Sequence, residues 1–141
     1  ALFIAIVLGV GCAHRAPTDV SPENNAAIAC PAGGELMRRS GLYFGAAIPN
    51  SSDTVDAAEW QAFLDREVTP RFPDGLTWFD AHGQWRGQDG QVIGETSRVL
   101  VLLHGNDSEA AASIEAIRTA YKQTFAQEAV MVEREPSCVA F

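Results

Sequence analysis

The sequence lacks the short motifs that identify common classes of enzyme. It contains no G-x-S-x-G nucleophile elbow, no G-x-G-x-x-G or P-loop spacing and no C-x-x-C pair. A serine nucleophile on an elbow, a glycine-rich phosphate cradle and a thiol redox centre therefore have no support in the sequence. We accordingly assign no catalytic residue and expect no cofactor and no bound metal.

Basic residues are also scarce. The chain has 10 Lys and Arg residues against 18 Asp and Glu, a formal net charge of −8, and Lys122 is its single lysine. Binding to the phosphate backbone of nucleic acids needs a basic surface, and an anionic membrane surface repels a protein of this charge. The composition therefore argues against a nucleic-acid partner and leaves a covalent lipid as the route to a membrane.

No apolar run is long enough to span a bilayer. Ala1–Val10 is almost entirely apolar, but this length falls short of the roughly 20 residues of a transmembrane helix and suits the core of a signal peptide. Val10-Gly11-Cys12 resembles the lipobox of bacterial lipoproteins, although Gly9 stands where a leucine is usual. We expect Cys12 to be lipidated, and Ala13 then indicates the periplasmic side of the outer membrane. The alternative is ordinary cleavage near Ala13 or Ala16, which gives a periplasmic or secreted protein.

The few cysteines fit an exported protein. If Cys12 carries lipid, Cys30 and Cys138 remain as a pair near the two ends of the folded region. An oxidising compartment favours a disulfide between them, which would close a loop of roughly 100 residues and add up to about 4–5 kcal/mol in the chain-entropy model. Two free, buried thiols are the alternative. We expect both cysteines to lie outside the regular elements.

The patterning divides the chain into a signal peptide over 1–12, a flexible tether over 13–35 and one domain over 36–141. Apolar alternation and short apolar runs predict strands over 42–48, 76–81, 98–104 and 129–133. Helical spacing predicts two helices, after the first and third strands. The order β-α-β-β-α-β is that of an α+β, ferredoxin-like fold, in which a four-stranded antiparallel sheet carries both helices on one face.

Capping residues indicate where both helices begin. Asp56 and Glu59 have the spacing of a capping box, and Asn106-Asp107-Ser108 offers an N-cap to the second helix. Thr69-Pro70 ends the first helix, because the residue before a proline is pushed out of the helical region. The glycines between the second and third strands are interpreted as loop glycines: Gly83, Gly87, Gly90 and Gly94.

The third strand is apolar on both faces, which predicts a central position in the sheet. Val99, Val101 and Leu103 alternate with Leu100 and Leu102. Because the helices cover only one face, we expect Leu100 or Leu102 to need another cover. The candidates are a homodimer stacked sheet to sheet, the tryptophan-containing segment after the second strand, and the terminal segments.

Several runs of the domain resemble a known family. They are VTPRFPDGLT (68–77), DAHGQWR (80–86), ETSRVL (95–100), Tyr121 and FAQEAV (125–130). As a set, they are similar to DUF3574, a family of small bacterial exported proteins and lipoproteins of unknown function. The resemblance covers roughly residues 41–141 and implies a ferredoxin-like domain in the cell envelope. It supplies no activity and no catalytic residues.

Polar and aromatic residues around the predicted sheet are the candidate ligand-binding groups. They are Tyr43, Arg71, Asp80, Trp85, Arg98 and Glu128. The guanidinium groups of Arg71 and Arg98 suit an anionic ligand, although ion pairs with Asp74, Asp80 or Glu95 are the simpler interpretation.

Two further groupings have a functional and a simpler interpretation. Asp80 and His82 project to one face and suit an acid/base pair or two metal ligands. A metal site needs a third ligand, such as Glu95 or His104. The simpler interpretation is that both residues lie at a strand end that is exposed to solvent. Trp78 and Trp85 suit a small pocket with Tyr43 on the open sheet face, and core packing is the commoner role of such residues.

Two functions agree with these observations. The first is a non-enzymatic binding or assembly module of the envelope that uses the sheet face without helices. The second is a small acid/base enzyme that acts on an anionic metabolite in a pocket on that face.

Metabolic labelling with a palmitate analogue tests the lipid anchor. The wild-type chain should be labelled and Cys12→Ser should not, because the lipidated thiol is then missing. Equal labelling of both proteins would contradict the prediction.

Overall fold

The computed structural model describes residues 29–86 and 89–141. Its elements are β1 (Glu35–Gly45), α1 (Ala57–Phe63), a π-helical turn that continues α1 (Leu64–Val68), β2 (Thr77–Arg86), β3 (Val92–His104), α2 (Ser108–Thr124) and β4 (Met131–Val139). The strands form one antiparallel sheet in the order β2-β3-β1-β4. The predicted α+β, ferredoxin-like fold is confirmed. The predicted signal peptide, Cys12 and most of the tether lie outside the described residues.

Local hydrogen bonds begin both helices where the sequence predicts. The Asp56 side chain accepts from the amide of Glu59 at 2.8 Å, and the Glu59 side chain accepts from the amide of Asp56 at 2.9 Å. This capping box satisfies two N–H groups that have no partner within the helix. Asp107 caps α2 by accepting from the amide of Ala110 at 2.7 Å. The first helix ends as expected before Pro70, through the π-helical turn.

Both helices pack against the same face of the sheet. Trp60 and Phe63 of α1 and Ile114, Ile117 and Tyr121 of α2 are fully buried there. They contact strand residues of the hydrophobic core, which include Leu42, Phe44, Leu100 and Leu102. Within the described residues, neither helix is long and apolar enough to cross a membrane.

Leu100 and Leu102 lie beneath the helices, so the expectation that one of them needs another cover is wrong. Leu42 pairs with Leu100 in the ladder, and both are fully buried in the core. Alternation along β3 then places Val99, Val101 and Leu103 on the other face. A strand that is apolar on both sides is correctly predicted to be central, but its pattern does not say which set of residues the helices cover.

The β2–β3 hairpin is longer than predicted. Gly83 pairs with Glu95 and Gln84 with Gly94, so these two glycines lie in strands rather than in a loop. Gly90 does lie in the turn, at a positive φ of 81°, and Gly87 lies outside the described residues. Backbone pairing needs no side chain, so the ladder extends where the sequence shows no alternation. The segment after residue 81 therefore continues the sheet and does not fold back over it.

Cys30 and Cys138 form the predicted disulfide, with Cα atoms 5.4 Å apart and a sequence separation of 108. Cys30 precedes β1, as expected, but Cys138 lies inside β4, opposite Leu36. The strand passes through Pro136 because it is at the edge of the sheet, where a missing N–H need not interrupt the ladder.

Loss of the disulfide should destabilise the fold. In Cys30→Ser, the free energy of unfolding in urea should fall by up to about 4–5 kcal/mol, because the unfolded chain regains the freedom that a long loop closure removes. Cys12→Ser is the matched control, since it keeps the bond. Equal midpoints of unfolding for the two variants would contradict a stabilising disulfide.

Candidate functional site

The sheet face without helices, here called the open face, carries a row of large side chains across its middle. The register aligns Phe79 with Val99, Val99 with Tyr43 and Tyr43 with Met131, so the row crosses all four strands. Val99 is 3% exposed between larger neighbours, whereas Phe79 is 49% and Met131 59% exposed. This apolar row therefore presents apolar surface to solvent near both edges of the sheet.

Glycines flank Tyr43 on the open face, and a carboxylate lies over each of them. A Cβ atom at Gly41 would be 2.7 Å from Oε1 of Glu133. One at Gly45 would be 2.8 and 3.0 Å from the two carboxylate oxygens of Glu95. Any larger residue at either position would displace its carboxylate, so the glycines allow this close approach.

The Glu133 carboxylate accepts hydrogen bonds from two side chains of this protein. Tyr43 donates its hydroxyl to Oε1 of Glu133 at 3.0 Å, and Nη1 of Arg39 donates to the same oxygen at 3.2 Å and to Glu135 at 3.3 Å. The hydrogen bond to the Glu133 carboxylate, together with burial, raises the pKa of Tyr43. One of the two carboxylates over glycine thus already binds a cation, the guanidinium of Arg39.

Glu95 has different surroundings. Within residues 29–86 and 89–141 its carboxylate forms no ion pair, and burial raises its pKa. The side-chain amide of Gln127 donates to the carbonyl oxygen of Ala47 at 2.6 Å, while its own oxygen would be 3.2 Å from a Cβ at Gly45. Three acceptor oxygens, two of Glu95 and one of Gln127, therefore surround one point over Gly45. We call them the acceptor cluster.

The predicted ligand-binding residues do not all lie together. Tyr43 lies on the open face, whereas Arg98 and Asp80 lie on the helix-covered face. Nη1 of Arg98 donates to the carbonyl of Val55 at 2.9 Å, its Nε lies 3.6 Å from Asp80, and its guanidinium stands 5.5 Å from the centre of the Trp60 ring. Because Arg98 is only 8% exposed, these contacts favour its simpler interpretation as a structural residue.

Arg71 and Arg98 contact different residues. The guanidinium of Arg71 donates to the backbone oxygen of Glu67 at 2.5 Å and to the Glu67 carboxylate at 3.1 Å. It lines a groove of about 500 Å³ together with His104. His104 follows Arg98 by six residues along β3, a span of roughly 20 Å. The two arginines therefore do not form a fork around one ligand.

The tryptophans do not form the suggested pocket with Tyr43. The ring of Trp78 packs edge-on against Trp60 beneath the helices, with centroids 5.9 Å apart. It therefore lies on the face opposite to Tyr43. The backbone of Trp85 belongs to β2, and its side chain is outside the described part of the structure.

The remaining polar candidates are exposed. Asp80 and His82 share one face of β2, as alternation requires, and both are exposed, as is Glu128 between α2 and β4. In the part of the chain that the structure describes, no three His, Cys, Asp or Glu residues are grouped so that they could hold a metal ion.

Sequence reasoning missed Glu133 and Gln127, and it considered Glu95 only as a metal ligand or an arginine partner. A usable signal is present in β1. Two glycines that alternate with an aromatic residue on one face of a central strand indicate that other groups fill that face. The identity of those groups depends on the pairing of distant strands.

These features define a small α+β protein in which one sheet face packs under helices and the other carries carboxylates around a tyrosine. The chain belongs to the family described as "Protein of unknown function (DUF3574)", whose family model matches residues 39–141. This match confirms the resemblance noted in the sequence. A comparison with curated proteins finds no match.

Solved structures share this fold. A phage SAM lyase in complex with S-methyl-5'-thioadenosine is 13% identical and superposes with a TM-score of 0.59 over 82% of this chain and 95% of that chain. The apo state of a phage SAM lyase is 14% identical, with a TM-score of 0.54 over 81% of this chain and 95% of that chain. At such low identity the likeness concerns the fold alone.

Glu95→Gln should stabilise the protein at neutral pH. A raised pKa of Glu95 in the folded state means that the stability it contributes is complete below its ordinary value of 4.5 and is lost as the pH rises through the raised value. The variant, which has no charge to bury, should therefore melt at a higher temperature than the wild type at pH 7.5 and at a similar temperature at pH 4. Thermal unfolding across this range measures the difference.

The matched control is Glu128→Gln, which removes the charge of an exposed carboxylate. It should show no such pH-dependent gain. A gain of equal size in both variants would mean that net charge, and not the burial of Glu95, is responsible.

Proposed function

We propose that the protein is a binding module of the bacterial cell envelope, anchored by lipid on Cys12, that uses the open face as its binding surface. The observation that carries this proposal is the apolar row, framed by the carboxylates of Glu95 and Glu133 on either side of Tyr43. A solvated sheet face normally carries polar side chains, whereas exposed apolar surface with a few placed polar groups is typical of interaction sites.

The envelope location rests on the start of the sequence and on the cysteines. A disulfide between Cys30 and Cys138 suits an oxidising compartment. The lipobox-like Val10-Gly11-Cys12 supports acylation, and Ala13 favours the periplasmic side of the outer membrane. The tether over 13–35 would then separate the lipid from the domain. Lipid is the proposed membrane contact, since the net charge of −8 opposes both an anionic surface and nucleic acid.

A ligand is preferred to a second copy of the chain as the occupant of the open face. A homodimer stacked sheet to sheet also covers the apolar row. However, it brings two chains of net charge −8 together through surfaces that carry Glu95, Glu133 and Glu135, and like charges repel. A ligand of opposite charge does not have this cost.

An acid/base enzyme that uses the same face is the second candidate. Its specific support is the hydrogen bond of 3.0 Å between Tyr43 and Glu133, together with Glu95, whose pKa is raised by burial. Such groups transfer protons when their pKa values are suitably shifted. The phage SAM lyase of the same fold, solved with S-methyl-5'-thioadenosine, makes nucleoside thioethers a class to assay. The carboxylates favour a cationic substrate over the anionic metabolite first considered.

Binding of the neutral dye Nile red tests the open face. The measurement uses full chains with Cys12→Ser, so that lipid cannot bind the dye. A further double substitution, Phe79→Ser with Met131→Ser, should reduce the fluorescence gain several-fold, because it removes the exposed apolar side chains of the row. Both residues are about half exposed, so the fold should persist, which circular dichroism checks.

Val92→Ser is the matched control, since Val92 is 55% exposed and its position in β3 alternates to the opposite face. It should bind the dye like the parent chain. Equal dye binding by all three proteins, or none by the parent, would remove the basis for a binding surface on the open face.

A further inference from the structure

We propose that the ligand of the open face is an organic amine, whose ammonium group docks in the acceptor cluster over Gly45 and whose apolar body lies along the apolar row. The inference rests on the proposed function, because it names the ligand class of the same face. It follows from three features of that face. They are the hydrogen-bond acceptors over Gly45, the different ion pairing of the carboxylates over Gly41 and Gly45, and the apolar row beside them.

The acceptor cluster places three acceptor oxygens close to one point over Gly45. The two oxygens of Glu95 and the amide oxygen of Gln127 lie within 3.2 Å of the position that a Cβ at Gly45 would take. The amide cannot offer its NH2 group to Glu95, since this group donates to the carbonyl oxygens of Ala47 at 2.6 Å and of Phe125 at 3.4 Å. An amine above these partly buried oxygens can donate hydrogen bonds to them. An ammonium group supplies three donors and no acceptor.

At the other glycine, Gly41, the carboxylate already has a cationic partner from the same chain. The carboxylate over Gly41 belongs to Glu133, and it binds the guanidinium of Arg39 at 3.2 Å. The carboxylate over Gly45 belongs to Glu95, which forms no ion pair within the described ranges 29–86 and 89–141. The carboxylates over the two glycines thus differ in whether the chain itself provides a cation for them. Glu95 is the carboxylate that can take a cation from a ligand.

The apolar row lies at the right distance to hold the body of such a ligand. Tyr43 precedes Gly45 by two residues on the same face, which is about 7 Å along the strand. Phe79 and Met131 extend the apolar surface towards both edges of the sheet. A phenyl group joined to an amine by two carbons spans this distance. The proposal therefore commits to a small amine with an apolar body.

A proton on Glu95 is the competing explanation for the grouping of these acceptor oxygens over Gly45. It would make Glu95 a donor to Gln127 without any ligand. The two explanations differ in what a neutral isostere does. Gln at position 95 replaces a protonated glutamate well, but it cannot provide the charge that an ammonium group needs.

The experiment titrates the full chain carrying Cys12→Ser with 2-phenylethylamine at pH 7.5 and follows amide resonances by NMR. The amide of Gly45 and the side-chain NH2 of Gln127 should shift, because they border the acceptor cluster. Phenylacetate, which has the same ring and the opposite charge, should cause no shift there, and neutral 2-phenylethanol should bind about tenfold more weakly, the usual effect of losing one charge-assisted hydrogen bond.

The matched variants are Glu95→Gln and Glu109→Gln. Glu109 is exposed in the first turn of α2 and belongs neither to the acceptor cluster nor to the apolar row, so its variant should bind 2-phenylethylamine like the parent. Glu95→Gln should bind it about tenfold more weakly. Equal affinity of the two variants, or no shift at Gly45 and Gln127 at millimolar amine, would overturn the inference.

Failure of the amine inference can be told apart from failure of the proposed function. If 2-phenylethanol binds as well as 2-phenylethylamine and shifts the same resonances, the open face is a binding surface but does not select amines. If neither compound binds and Nile red does not distinguish the open-face variant from Val92→Ser, the binding function itself is wrong.

Discussion

Two helices can cover one face of a four-stranded sheet, and the pairing of β1 with β3 decides which side chains that face receives. Because Leu42 pairs with Leu100, the even-numbered residues of both strands face the helices, and Leu42, Phe44, Leu100 and Leu102 enter the core. The odd-numbered residues are left for the open face. A shift of the register by one residue would exchange the two sets completely. The position of Tyr43 and its neighbours is therefore a consequence of how the core packs, and not of any local preference in β1.

Local chemistry and long-range pairing were not equally predictable from the sequence. Asp56 and Asp107 can be recognised in the sequence as helix N-caps, because an N-cap involves only residues three positions apart. The sequence does not predict the extension of the β2–β3 hairpin through Gly83 and Gly94, since it depends on backbone pairing. It does place Tyr43 on the sheet face without helices, where the structure has it. Its partner Glu133 is 90 residues away in sequence, and no periodicity connects the two.

The open face combines groups that a fold does not need for its stability. Glu95 is placed where burial works against its charge, and Phe79 and Met131 expose apolar surface that water disfavours. Natural proteins commonly keep such unfavourable groups where function requires them. The glycines beside Tyr43 add to this pattern, because glycine in a strand loses more conformational freedom on folding than other residues do. These groups, which are unfavourable for stability, all lie on the open face, whereas the opposite face packs against an aromatic core.

The disulfide gives the domain a mechanical property. If lipid at Cys12 holds the protein to a membrane, any pull along the intervening chain enters the described fold at Cys30. The bond to Cys138 divides that load between β1 and β4, which also pair with each other along most of their length. Such a pull is thus shared by two paired strands and does not fall on the start of β1 alone.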